Sequence, residues 1–216
     1  ETSRYTTALV NASLHNKRKW CEHTASVCVL SDKPLQPKAN GRLRRWDKLL
    51  ALNRTLHSQP EGAWVLWLDC DALFTSVNAS WHELVPKSPR YQLVLSKDCN
   101  GPNSGVFLIK NTEFGRSFLQ RVYDTAAKLD FMPLHGLYDQ AYITHLLETR
   151  RSIARRVSWV PQQRMNAFYM DVCGAQWQAG DWILHQVNCH DQRTNGCNQK
   201  FIEMAYRVEY EWNLGN

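Results

Sequence analysis

The sequence predicts an α/β protein whose central sheet is mixed, mostly parallel and flanked by helices. Three observations carry that prediction. The apolar run Trp64-Val-Leu-Trp-Leu68 has the length and composition of a strand buried on both faces, as in a parallel sheet. Further short apolar runs alternate with helix-periodic segments along the chain. The run at Trp64 stops abruptly at Asp69-Cys70-Asp71, and in open α/β sheets ligands bind beyond the carboxyl ends of the strands.

Each element follows from its local pattern. Tyr5 to His23 fits a helix, with Leu9, Leu14 and Trp20 among its apolar positions and charges at Lys17, Arg18 and Lys19. Ser26 to Leu30 reads as a short strand, and Asp32 to Gly41, with two prolines and a glycine, as a loop. Leu43, Trp46, Leu50 and Leu56 supply the apolar face of a second helix ending near His57, which Pro60-Glu-Gly62 separates from the strand at Trp64. Ala72 to Pro89 reads as irregular, with one helical turn near Trp81. Tyr91 to Leu95 and Val106 to Ile109 are strands on either side of the loop Lys97 to Asn103, and Thr112 can cap a helix running to Lys128. Another helix covers Asp139 to Glu148. Val157 to Val160 and Trp182 to Leu184 are two more strands, and Phe201 to Trp212 forms a last helix.

A chain of 216 residues can bury a sizeable core and suits one domain, residues 1–216. The net charge of +6 fits an anionic ligand such as a diphosphate as well as it fits a plain basic surface; it is too modest and dispersed for nucleic acid. Nine Trp and eight Tyr can fill a core, and such rings also line sugar sites. The seven cysteines include no C-x-x-C pair, which argues against a thiolate zinc site, and their odd number leaves at least one thiol free in a monomer. Sequons at Asn11-Ala-Ser, Asn53-Arg-Thr and Asn78-Ala-Ser, taken with the cysteines, point to a secretory lumen. No signal peptide or run long enough to span a membrane is present, so membrane attachment is expected only through an anchor outside this sequence.

Five constellations can carry chemistry. Two acids as close as Asp69 and Asp71 repel each other, and a divalent cation relieves that repulsion; the plain alternative is an acidic loop after a core strand. A cation there could also bind the two phosphates of a nucleotide-sugar and neutralise the leaving diphosphate. The short strand in Gly180-Asp-Trp-Ile-Leu-His185 ends in an imidazole suited to be a third manganese ligand, or simply a structural histidine. Asn100-Gly-Pro-Asn-Ser-Gly105, containing Asn103 and Ser104, reads as a strand-to-strand turn or as a loop whose amides meet sugar hydroxyls. Asp98 beside it is a turn residue or a further sugar contact. In Tyr138-Asp-Gln140, Asp139 favours a helix start, and Asp139 or Gln140 could lie beneath an anomeric carbon. Gln162 and Asn166, in the polar segment Pro161 to Asn166, suit an acceptor or donor contact. The clusters Arg42/Arg44/Arg45 and Arg150/Arg151/Arg155/Arg156 read as solvated faces before phosphate sites.

Taken in order, WVLWLDCDALF (Trp64 to Phe74), NSGVFLIKNTEFGRSFL (Asn103 to Leu119), DQAYITHLL (Asp139 to Leu147), VPQQRMNAF (Val160 to Phe168) and GDWILHQVNC (Gly180 to Cys189) resemble a retaining glycosyltransferase of the GT-A fold, a Rossmann-like nucleotide-diphospho-sugar transferase architecture. The family resembled is glycosyltransferase family 34, the galactosyl-, mannosyl- and xylosyltransferases of the yeast and plant Golgi. Asn16-Lys17 within the first helix also fits its pattern.

The resemblance implies Mn2+, or Mg2+, held by Asp69, Asp71 and His185. It also implies a UDP- or GDP-sugar donor lying against Asn103, Ser104 and Gly105, with Asp139 and Gln140 near the reacting carbon. A glycan or glycoprotein acceptor then attacks from the front face, assisted by the leaving diphosphate, in the Golgi lumen of a type II membrane protein. Two departures stand out. The family's first nucleotide-binding strand is absent before Tyr5, and Asn188 and His190 replace its usual glycine and basic residue.

Two other classes compete. Haloacid-dehalogenase-like phosphatases also end an apolar strand in D-x-D, but they place Thr or Val where Leu73 stands and need a later acidic pair. A non-catalytic glycan-binding module on a transferase fold is the other, and the retained Asp69, Asp71 and His185 argue against it.

Overall fold

A computed structural model describes residues 7–30, 46–128, 137–169, 173–187 and 196–214. Its elements begin with α1 (Thr7–Thr24), α2 (Asp47–Ser58), β1 (Trp64–Leu68), β2 (Ala72–Phe74), β3 (Leu93–Leu95), β4 (Lys97–Asp98) and β5 (Gly101–Pro102). They continue with β6 (Val106–Lys110), α3 (Glu113–Lys128), α4 (Tyr138–Thr149), α5 (Arg151–Ala154), β7 (Val157–Trp159), β8 (Ala167–Phe168), β9 (Ile183–His185) and α6 (Cys197–Leu214). By internal contacts the chain forms two compact units. One comprises Glu1–Asp32, Leu68–Ser80 and Pro161–Asn216; the other comprises Lys33–Trp67 and Trp81–Val160. The segments expected as the Asp32–Gly41 loop and the Arg42/Arg44/Arg45 cluster, with Asn188 and His190, lie outside the described residues.

In the second unit four strands pair in the order β1-β6-β3-β7. All of β3 and the first four residues of β6 are buried, as their unbroken apolar runs require. Helices α2, α3 and α4 pack as successive neighbours and bring Leu49, Leu52, Leu56, Phe118, Leu119, Val122, Ile143 and Leu146 into the core. Thr112 caps α3 as expected, its Oγ1 accepting the Gly115 N–H at 3.1 Å. The sheet is mixed, but less parallel than the apolar runs imply. β3 is parallel to β7 and antiparallel to β6, because the chain returns through the short β4–β5 hairpin rather than a crossover helix. β1 also departs from expectation. Among the described residues it ends the strand order, and all five of its residues are only half-buried.

In the first unit β2, β9 and β8 form a three-stranded sheet in that order. β2 pairs antiparallel with β9, and β8 pairs parallel with β9. Leu73 and Leu184 at the centre of this sheet pack with Leu9 and Ala12 of α1 and with Cys197, Phe201 and Ala205 of α6. Trp20 stacks on Phe74 at 3.9 Å between ring centroids, and Trp182 leans on both.

Two sequence expectations change here. Ser26 to Leu30 is not a strand: Val27 and Val29 are 87% and 65% exposed, and a Cys21–Cys28 disulfide folds the segment back on the end of α1. Ala72 to Phe74, expected as irregular, is a strand whose three residues are all buried. Cys99, Cys173 and Cys197 are also in disulfides, and Cys70 is the free thiol among the described residues.

Side chains of α1 take the place of a strand along β2. The Asn16 amide donates to the Phe74 carbonyl and accepts the Phe74 N–H, both at 2.9 Å, while Lys17 Nζ donates to the Ala72 carbonyl at 2.9 Å. Asn16 is completely buried, so truncating it orphans two backbone groups away from water. Asn16→Ala should therefore cost about 2 to 4 kcal/mol, measured by urea unfolding, at ~1–3 kcal/mol for each buried group left unpaired.

Candidate functional site

The tight turn between β1 and β2 carries Asp69, Cys70 and Asp71, closed by the Ala72 N–H on the Asp69 carbonyl at 3.1 Å. The β2–β9 register then sets Ala72 opposite His185, and the Gln186 N–H binds the Asp71 carbonyl at 2.8 Å. Two residues 114 positions apart in the chain are thus brought side by side. His185 Nε2 lies 3.3 Å from Asp71 Oδ1. One ligand atom each from Asp69, Asp71 and His185 lie within 4.8 Å of one another. Asp71 and His185 are buried and Asp69 is half-buried.

The donor set fits a divalent cation. His185 Nδ1 is 2.7 Å from Asn166 Oδ1, an acceptor, so Nδ1 carries the proton. Nε2 is thereby left facing the Asp71 carboxylate, where a cation would join the ring's second nitrogen to Asp71 and Asp69. Two carboxylates and an imidazole suit manganese, zinc or iron in the +2 state, and manganese or magnesium where water and phosphate complete the shell.

Lys17 is the buried cation closest in sequence to none of these groups, yet it feels them. Burial pushes its ammonium from 10.5 down to about 8, while the acids Asp71 and Asp69 pull the other way. It donates to Ser13 Oγ at 2.5 Å as well as to the Ala72 carbonyl.

In the second unit a separate polar cluster gathers most of the expected sugar-facing residues. Asn103, Ser104, Asp139 and Gln140 are all buried. Asn103 Nδ2 donates to Asp98 at 2.7 Å, and its Oδ1 accepts the Gly105 N–H at 2.8 Å. Gln140 Oε1 accepts the Ser104 N–H at 3.4 Å. Asp98 accepts the Asn100 N–H on its other oxygen, which is the turn-closing geometry.

Lys48 of α2 completes this cluster. It pairs with Asp139 at 2.9 Å and donates to the Ser104 carbonyl at 3.0 Å, with little of either side chain exposed. The sequence pattern missed it because a lone lysine on an amphipathic helix reads as solvated. Tyr138, at the start of α4, holds a left-handed φ of 41°, a strained setting immediately before Asp139.

Asn166 is fully buried against His185, and Gln162 donates to the Asn166 carbonyl at 3.1 Å. Arg150, Arg151, Arg155 and Arg156 are exposed, as a solvated face requires.

Solved structures share this architecture. A glycosyltransferase involved in the glycosylation of the major capsid of PBCV-1 superposes with a TM-score of 0.67 at 12% identity, over 96% of this chain and 95% of that one. The apo-form glycosyltransferase GlyE of Streptococcus pneumoniae TIGR4 gives 0.51 at 19% identity, over 77% and 46%. Identities this low speak to the fold alone, and the fold is that of glycosyltransferases.

The sequence is more specific. The model of the galactosyl transferase GMA12/MNN10 family, glycosyltransferase family 34, matches residues 1–90 and 79–196, and the chain belongs to that family. A Schizosaccharomyces pombe "Probable alpha-1,2-galactosyltransferase gmh1" is 26% identical, over 67% of this chain and 53% of the relative. An alpha-1,2-galactosyltransferase of the same yeast is 24% identical over 89% and 59%. The Saccharomyces cerevisiae "Probable alpha-1,6-mannosyltransferase MNN10" is 22% identical over 88% and 56%. The chain spans between half and three-fifths of the length of these relatives.

Two outcomes follow from the buried cations. The folded Lys17 sheds its proton near pH 8, whereas the unfolded chain keeps it to about 10.5, so stability of the metal-free protein should rise between those values. The rise attributable to Lys17 is on the order of 3 kcal/mol at ~1.36 kcal/mol per pKa unit, and urea unfolding of Lys17→Met across that range should lack it. Lys48→Met leaves the Asp139 carboxylate buried without its countercharge and should lower stability by about 3 kcal/mol, with part recovered in the Lys48→Met/Asp139→Asn double variant.

Proposed function

We propose that this chain forms the catalytic core of a metal-dependent, retaining glycosyltransferase. It moves a hexosyl or pentosyl unit from a UDP- or GDP-sugar to a glycan or glycoprotein acceptor in the Golgi lumen. The observation that carries the reading is the Asp69, Asp71 and His185 cluster, set by strand register in a chain of this family. The relatives' printed activities, galactosyl and mannosyl transfer, support a hexose as the unit moved.

A Mn2+ or Mg2+ ion bound there supplies Lewis-acid stabilisation of the diphosphate as it leaves. Asp69, Asp71 and His185 would hold the ion, with Asp71 and His185 buried and Asp69 half-buried. Asn103, Ser104 and Gly105 are the donor-sugar residues in this reading, held as a unit by the Asn103 bonds to Asp98 and to the Gly105 N–H. The family resemblance assigns Asp139 and Gln140 to the reacting carbon, and Lys48 pairs with the Asp139 carboxylate at the start of α4. With front-face attack, the acceptor hydroxyl gives its proton to the leaving diphosphate and no protein nucleophile is needed.

Calorimetry with UDP and GDP, with and without Mn2+, tests the assignment. Wild type should bind one of them only with the metal, and Asp71→Ala and His185→Ala should each abolish that binding. Unchanged binding in both folded variants would sink the metal assignment. A panel of nucleotide-sugars scored for Mn2+-dependent donor hydrolysis should then identify the donor, whereas glycan binding with no hydrolysis or transfer of any donor would mark a binding module.

A further inference from the structure

We infer that Asn166 is the positioning residue that makes His185 a metal ligand, by fixing the imidazole tautomer and ring direction. The inference rests on the metal reading above but concerns a residue that never touches the ion. Asn166 Oδ1 sits 2.7 Å from His185 Nδ1, in a site where Asn166 is 0% and His185 4% exposed. A carbonyl oxygen can only accept, so the bond demands the proton on Nδ1 and leaves Nε2 as the ring's electron-pair donor. That nitrogen is the one facing Asp71 Oδ1. The opposite tautomer would set a lone pair against Asn166 and a proton where the ion must bind.

Asn166 is itself held. Gln162 Nε2 donates to the Asn166 carbonyl at 3.1 Å, and Gln162 Oε1 accepts the Ala175 N–H at 2.9 Å. The turn that brings Ala175 in has no room for a side chain: a Cβ on Gly174, where φ is +122°, would lie 2.0 Å from Gln162 Oε1. The edge of the Phe168 ring meets His185 at 5.7 Å between centroids and closes another side. Gly174, Ala175, Gln162 and Asn166 thus form a polar relay to the metal-binding imidazole, which explains why a buried Asn follows Pro161-Gln-Gln-Arg-Met.

Two measurements test this. Long-range 1H–15N NMR on the apo protein, at a pH where the ring carries one proton, should report that proton on Nδ1 of His185 in wild type, and a singly protonated ring with its proton on Nε2 would overturn the proposal whatever any variant does. Mn2+ affinity, read as free-ion EPR signal during titration, should fall about 10- to 100-fold in Asn166→Ala, the usual cost of losing such a partner, with more of the Nε2-protonated tautomer. Asn166→Asp keeps an acceptor toward Nδ1 and should hold affinity within a few-fold, so it stands in if the alanine variant does not fold. Wild-type affinity in folded Asn166→Ala, or a loss in folded Asn166→Asp as deep as expected for alanine, contradicts the role. Absence of Mn2+ binding by wild type would instead refute the underlying metal reading, a separate outcome from the tautomer result.

Discussion

The antiparallel pairing of β2 with β9 is the constraint on which the rest of the candidate site depends. Ala72 opposite His185, with the Gln186 N–H on the Asp71 carbonyl, fixes the distance between an acid turn and a histidine that the chain separates by more than a hundred residues. A slip of one residue would turn His185 to the other face of the sheet and bury a polar group where Leu184 now packs. Register is therefore enforced by the core: Leu73 and Leu184 are both fully buried between α1 and α6. Hydrophobic packing positions the candidate ligands, which need only be placed at the ends of the strands it aligns.

Short strands hold this register because polar side chains supply what the backbone lacks. β2 and β9 are three residues each, too short to be secured by a ladder alone. Asn16 and Lys17 satisfy the free edge of β2, and Thr75 Oγ1 accepts from Trp177 while donating to the Asp181 carbonyl. The second unit uses the same device, with Lys48 tying the Ser104 carbonyl to Asp139. Each such group is buried and hydrogen-bonded, which is the condition under which burying it is tolerable.

Much of this was legible in the sequence where a residue's own neighbourhood decides its state. The strand at Trp64, the cap at Thr112, and the helices around Leu49, Phe118 and Ile143 follow from local period and capping chemistry, and Asp69, Asp71 and His185 from apolar runs that stop in polar residues. What local pattern missed depends on contacts far along the chain. Ala72 to Phe74 is a strand only because β9 and Asn16 pair with it, and Val27 and Val29 stay outside a sheet because a disulfide to Cys21 governs their path. β1 reads as a central strand from its composition, yet ends the strand order among the described residues. Lys48 carries no sequence signal at all, and the polar segment around Asn166 points to a donor or acceptor contact rather than to His185. Their roles arise from Asp139 and His185, which lie 91 and 19 residues away.

The functional reading stands on a cation occupying the centre that β2 and β9 build. Crystals grown with Mn2+ and a nucleotide diphosphate, measured at the manganese absorption edge, test this most directly. An anomalous peak within bonding distance of an Asp71 oxygen and His185 Nε2, beside Asp69 and the diphosphate, is the result predicted. A peak elsewhere, or bound diphosphate with no metal between it and these side chains, would contradict it.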